Sequence, residues 1–434
     1  MPGVKLRIIL IWFVLLSVFL TGCNPKDEDN PNPPSIHILV PAQGDSFLIT
    51  DTIFVSIRIS HNKPITQASV TLIDNINNPV TNTVTANPNV NDYLLEGYLV
   101  FNNQKLASGI YELMVRASDG SDASSDYIDV YVEGIPLRLR QLWAITRQND
   151  LKTYITRYDS LFFENGTVTI NMGYGNSIIN AFNGHFYFAG LPPSGLYAYD
   201  LDSLDVQWDY QPPSPYTEIY GLSAYGQLVY TGTGNGSIIG LNANGLTKVN
   251  TPLNTDRIPW LVYRGSKYIV SYQTSRSGPE KYVALNYGTT GAGAGSIRTQ
   301  LDVKGFGEKN TDKIYVFGNV GDTAYVMVLD AYSGQIYEEA NLKKHTFQSM
   351  VGAGPNKYVL ATENALYEYN ALSQHLYQAI PAPGIGILAY DEVSGFLFAA
   401  GLYNIRIYDY ETGGLVTTLQ TPFPIVNLHI RYNR

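Results

Sequence analysis

Cysteine is all but missing. Cys23 is the only one in 434 residues, so no internal disulfide can staple the fold. Histidine is sparse as well. His37, His61, His185, His345, His375 and His429 are scattered, without a His-Glu-x-x-His, paired-His or Cys–His spacing. A zinc site therefore has no support. Charged residues make up 15% of the chain, with 28 Lys+Arg against 37 Asp+Glu and a net charge of −9. The longest basic cluster, Lys343-Lys344-His345, is too small for a nucleic-acid footprint. No Gly-x-Ser-x-Gly elbow offers a hydrolase nucleophile. The apolar run from Ile8 to Phe19 is shorter than the roughly 18–20 residues a spanning helix needs.

What the chain has is a repeat. Seven times an apolar-aromatic run ends in Asp or Asn and turns, at Asp159, Asp200, Asn242, Asn286, Asp330, Asn370 and Asp409. The intervals run from 39 to 44 residues. A period near forty with four short strands per unit predicts a β-propeller. One unit shows the grammar. Glu218 to Tyr225 and Gln227 to Tyr230 alternate as strands, Gly234-Asn235-Gly236 turns, Ser237 to Leu241 is a third strand, and Asn244-Gly245 turns into a fourth. The seven Asp and Asn side chains accept backbone N–H groups at the turn in this reading, a structural role. Gly232 to Gly236 and Gly291 to Gly295 look like phosphate loops, but neither opens a helix. Both read as hairpin turns.

The unit Val229-Tyr230-Thr231-Gly232-Thr233 through Leu241-Asn242-Ala243 resembles the repeat of quinoprotein-like propellers, over about Leu137 to Arg434. Six units run forward from Asn171. Three strands in residues 138–170 and one at Ile425 to Ile430 are left over and make a seventh blade from both ends, which removes the open edges. The expectation is an all-β chain with seven blades, eight being the alternative. Quinoprotein dehydrogenases hold a quinone with calcium ligands from the funnel, often beside a disulfide of adjacent cysteines. That pair is absent here and no Glu–Asn–Asp set matches, so the resemblance carries no cofactor to this chain.

The front reads as sorting and spacing. Lys5 and Arg7, the short apolar run and Leu20-Thr21-Gly22-Cys23 resemble the signal peptide (1–22) and lipobox of bacterial lipoproteins, which implies lipidation at Cys23. Residues 23–34 are acidic and proline-rich, a tether. Lys26-Asp27-Glu28-Asp29 resembles the surface-export signal of Bacteroidetes lipoproteins. The expected location is the outer membrane, facing outward, with the periplasmic face as alternative. Residues 35–134 hold alternating strands such as Ile53 to Ile59 and Gly109 to Ala117 and suggest an immunoglobulin-like sandwich without the Cys–Trp–Cys core. The propeller follows at 138–434.

In propellers the inter-blade loops share one face with the loops between second and third strands. There the sequence places Tyr174, Tyr216, Asp256, Arg257, Trp260, Arg276, Glu280, His345, Phe347 and Tyr403. Aromatics beside Arg and Asp are enriched in binding hot spots. The expectation is a non-catalytic, membrane-anchored binding or scaffold protein with a protein or polysaccharide partner, no nucleic acid, no metal and no cofactor. The alternative is a polysaccharide-active hydrolase or lyase using two funnel carboxylates.

Overall fold

A computed structural model describes residues 33–75, 77–103, 105–213 and 218–433. Cys23 and the sorting segment lie outside the described residues. The chain divides into two compact units, Met1–Ile135 and Pro136–Arg434. Among the described residues every regular element is a strand.

In the first unit, Ser35–Val40, Thr52–Ile65 and Val90–Val100 form a three-stranded sheet. A five-stranded sheet runs in the order Ser46–Leu48, Ala123–Glu133, Gly109–Ser118, Gln67–Ile73, Val84–Ala86. Period-two alternation sends Ile53, Val55, Ile57 and Ile59 inward from one sheet and Leu113 and Val115 from the other. Asp119 closes its loop by accepting the Ser121 and Asp122 N–H groups at 2.8 and 2.6 Å, and it faces His61 at 3.1 Å.

The second unit is a propeller of four-stranded antiparallel sheets, seven among the described residues. The first sheet joins Leu139–Asn149, Lys152–Asp159 and Glu164–Ile170 to the C-terminal Ile425–Tyr432. The other six each use four consecutive strands. They open at Tyr174–Asn180, Ile219–Tyr225, Arg257–Arg264, Asp302–Asn310, Ser349–Gly352 and Ile387–Asp391. The fourth continues with Tyr268–Ser275, Lys281–Tyr287 and Gly293–Thr299.

Each sheet is apolar on both faces and shares a buried cluster with each neighbour. Trp143 and Ile155 of the first sheet meet Phe186 and Phe188 of the second. Tyr230 and Ile238 of the third meet Val262 and Ile269 of the fourth. Val270 and Val283 of the fourth meet Val303 and Val316 of the fifth. The seventh sheet's Phe398 and Ile405 meet Leu142 and Leu428 of the first, so the last sheet packs on the first. At the junction of the first and second sheets the Ser177 hydroxyl lies 2.7 Å from His429 Nε2 and 3.1 Å from the Tyr174 hydroxyl, to which Asn427 donates at 2.8 Å.

The repeated turn residues separate into two kinds. Asp159, Asp200, Asn242, Asp330, Asn370 and Asp409 each accept two or more hydrogen bonds at Oδ1 from the turn that follows, as Asn370 does from the Leu372 and Ser373 N–H groups at 3.0 and 3.1 Å. Those bonds pull the carboxyls of Asp200, Asp330 and Asp409 below the usual range. Asn286 departs from them. It is buried, and its amide donates to the Gly291 carbonyl at 3.2 Å, because the turn begins one residue later, at Tyr287, whose carbonyl accepts the Gly291 N–H at 2.8 Å as that of Asp409 accepts the Gly413 N–H.

Candidate functional site

The fourth sheet collects five of the ten candidate residues. Its innermost strand begins at Arg257, pairs with Ser275 and admits Pro259. Proline is tolerated there because the strand is an edge of its sheet. The register slips between Pro259 and Leu261, leaving Trp260 as the extra residue of a β-bulge. A bulge re-aims its side chain. Trp260 is 47% exposed, its Nε1–H donates to Thr274 Oγ1 at 2.8 Å, and its ring stands edge-on to Tyr220 with centroids 5.0 Å apart. The indole donor is thus satisfied within the protein, and a ring face remains open.

Around it the polar groups are held in fixed positions. Asp256 accepts from Ser277 Oγ at 2.8 Å and Ser275 Oγ at 3.0 Å, and these bonds lower its carboxyl from the ordinary value. Its backbone carbonyl accepts the Arg276 N–H at 2.7 Å. The Arg276 guanidinium reaches across to the Gly234 carbonyl of the third sheet at 2.5 Å. Arg257 lies 3.7 Å above the Tyr282 ring and donates to Ser296 Oγ at 2.8 Å. Glu280 faces Arg298 at 3.5 Å. The Gly232 to Gly236 segment is a hairpin turn. Any Cβ at Gly236, φ +80°, would run into the Asn254 carbonyl, so glycine is there for close approach.

The remaining candidates are not gathered. Phe347 is fully buried between the fifth and sixth sheets, its N–H and carbonyl clamped by the Asn319 amide at 2.8 and 2.9 Å. It is a core residue and not part of a ligand face. Tyr174 is likewise packed into the junction between the first and second sheets, where burial pushes its hydroxyl up to about 12. Aromatic residues near strand starts look alike in sequence whichever way they point, so neither burial is legible there. His345 lies 3.8 Å from Glu363 and against the Tyr367 ring. Tyr403 is 45% exposed and stands apart. Tyr216 lies outside the described residues. No group of three or more His, Cys, Asp or Glu side chains fit to hold a metal ion occurs among the described residues.

Two residues escaped the sequence reading. The bulge at Trp260 recurs at the same register in five sheets, where the extra residue is Val426, Gly175, Tyr220 with Gly221, Trp260 and Lys304. Lys304 therefore occupies the position equivalent to Trp260 in the neighbouring fifth sheet, while in the third sheet Gly221 takes that position and Tyr220, one residue before it, meets the indole. No common residue pattern marks the bulge, since Asn427, Asn176 and Gly305 follow it in three sheets and Leu222 and Leu261 in two; only the pairing partner shows which residue is extra.

No protein-family model matches the chain, and no curated protein matches its sequence. Several solved structures share its architecture. A quinoprotein alcohol dehydrogenase-like protein from Bacteroides thetaiotaomicron is 13% identical, over 91% of this chain and 99% of that one, with a TM-score of 0.48. The β-propeller domain of Myceliophteria thermophila Cps50 is 8% identical over 58% and 88%, with a TM-score of 0.45. The dihydro-heme d1 dehydrogenase NirN is 12% identical over 67% and 75%, with a TM-score of 0.46. The site reading rests on this chain's own strands and side chains.

Proposed function

We propose that this protein is a non-catalytic binding lipoprotein, held at the outer membrane through an acylated Cys23, with an immunoglobulin-like spacer and a seven-bladed propeller. The blade count is supported by the four-stranded sheets and by the apolar clusters that link each to the next, last to first. The spacer assignment is supported by the two sheets of the first unit.

The observation that carries the binding function is the meeting of Asp256, Arg257, Trp260, Arg276 and Glu280 on one sheet, with an exposed indole at their centre. Side chains already locked by neighbours lose little entropy when a partner arrives. A general acid would need a carboxyl raised toward neutrality, and Asp256 is moved the other way. The full chain carrying Trp260→Ala and Arg257→Ala together should lose a partner that the parent retains from a cell-envelope extract. Equal retention would remove this face from consideration. For the anchor, Cys23→Ala should move the chain from the membrane fraction to the soluble fraction. A variant that stayed membrane-bound would refute acylation there.

A further inference from the structure

Resting on the binding reading above, we infer that the ligand is an acidic carbohydrate chain, stacked on Tyr220 and Trp260 with its carboxylates on Lys281 and Lys304. The geometry runs continuously across three sheets. Tyr220 and Trp260 touch edge to face. The Trp260 N–H is held by Thr274, and Thr274 pairs across the ladder with Lys281. Directly paired residues point to the same face of a sheet, so Lys281 stands on the side that carries the indole. Lys281 in turn lines a groove with Lys304, the bulge residue of the fifth sheet.

The charge of this surface is opposite in sign to that of the chain. Lys281 and Gln300 are shared by two adjoining surface grooves, which together carry the cations Lys281, Arg298 and Lys304 and the carboxylates Glu280 and Asp302. Both carboxylates are already paired, Glu280 with Arg298 at 3.5 Å and Asp302 with Lys304 at 3.0 Å. Lys281 has no ion-pair partner among the described residues. In a chain of net charge −9, a cation left unpaired beside two others selects an anionic ligand.

A sugar fits better than a peptide for two reasons. Beyond Pro279 and the buried Phe347, the groove linings are polar and offer no apolar pocket for a peptide anchor. The exposed aromatic surface presents ring faces and edges without a free indole donor, which suits the C–H face of a pyranose.

Calorimetric titration of the full chain at low salt tests this with four probes: oligogalacturonate, oligomannuronate, methyl-esterified oligogalacturonate and oligoglutamate. The expected result is saturable binding of at least one uronate, weakened at least about tenfold by esterification. Lys281→Gln with Lys304→Gln should cause a similar loss for the acid, leave the ester unchanged and flatten the salt dependence. Trp260→Ala should abolish binding of the acid, and Trp260→Phe should restore part of it. Failure of both uronates to bind would overturn the inference, as would oligoglutamate binding equally tightly with the same dependence on Trp260. If the uronates fail while Trp260→Ala with Arg257→Ala still loses the envelope partner, the ligand class falls and the binding site stands.

Discussion

His429 gives the propeller a stability that depends on pH in a definite direction. The ring is partly buried at the junction of the first and second sheets, against Phe186 and 2.7 Å from the Ser177 hydroxyl. Removal from water disfavours the protonated ring and lowers its pKa from 6.5 to about 4. Below 6.5 the unfolded chain takes up a proton that the folded chain refuses until about 4. The stabilisation is therefore complete above 6.5 and is lost progressively as the pH falls to about 4. Over that window the linkage amounts to about 3 kcal/mol. Other groups titrate there too, so the measurement is a difference. Urea unfolding of the parent and of His429→Gln should be compared between pH 7.5 and pH 4.5, conditions that span most of the His window. Glutamine keeps a donor and an acceptor near Ser177 but does not titrate. The variant should be less stable at the upper pH, and the parent's advantage should shrink by about 2.5 kcal/mol at the lower. An advantage independent of pH would show that His429 does not resist protonation in the folded state.

Two further perturbations probe the repeat itself. Asn370→Asp should be close to neutral, because the side chain only accepts, whereas Asn286→Asp should cost about 1–3 kcal/mol by turning a carboxylate toward the Gly291 carbonyl. Equal unfolding midpoints for the two variants would refute the distinction. Gly221→Ala should destabilise by about 1–3 kcal/mol, since its Cβ would lie 2.7 Å from the Trp260 carbonyl and 2.8 Å from Leu261 Cα. It should also disturb Trp260, read as a shift in indole emission; an unchanged midpoint and spectrum would count against the close approach of the two strands.

The strands and their grouping were legible in the residues alone. Period-two alternation, Asn-Gly and Asp-x-x-Gly turns and a spacing near forty are local properties, written in adjacent residues. They led to the all-β chain and to the pairing of the C-terminal strand, Ile425–Tyr432, with Leu139–Asn149. Even the meeting of Asp256, Arg257, Trp260, Arg276 and Glu280 was legible, because these residues lie at one end of consecutive strands of a single sheet. Direction was not. Phe347 and Trp260 are both aromatics near strand starts, yet one is clamped in the core by Asn319 and the other is turned outward by a bulge. Asn286 and Asn370 look alike in the repeat, yet Asn370 opens its turn and accepts, while Asn286 lies one residue before its turn and donates. Tyr220, Lys281 and Lys304 come together only because three sheets stand side by side. These points emerge with the packed sheets, because a one-residue slip in pairing reverses where a side chain points, and that slip depends on a partner strand rather than on the residue's own neighbours.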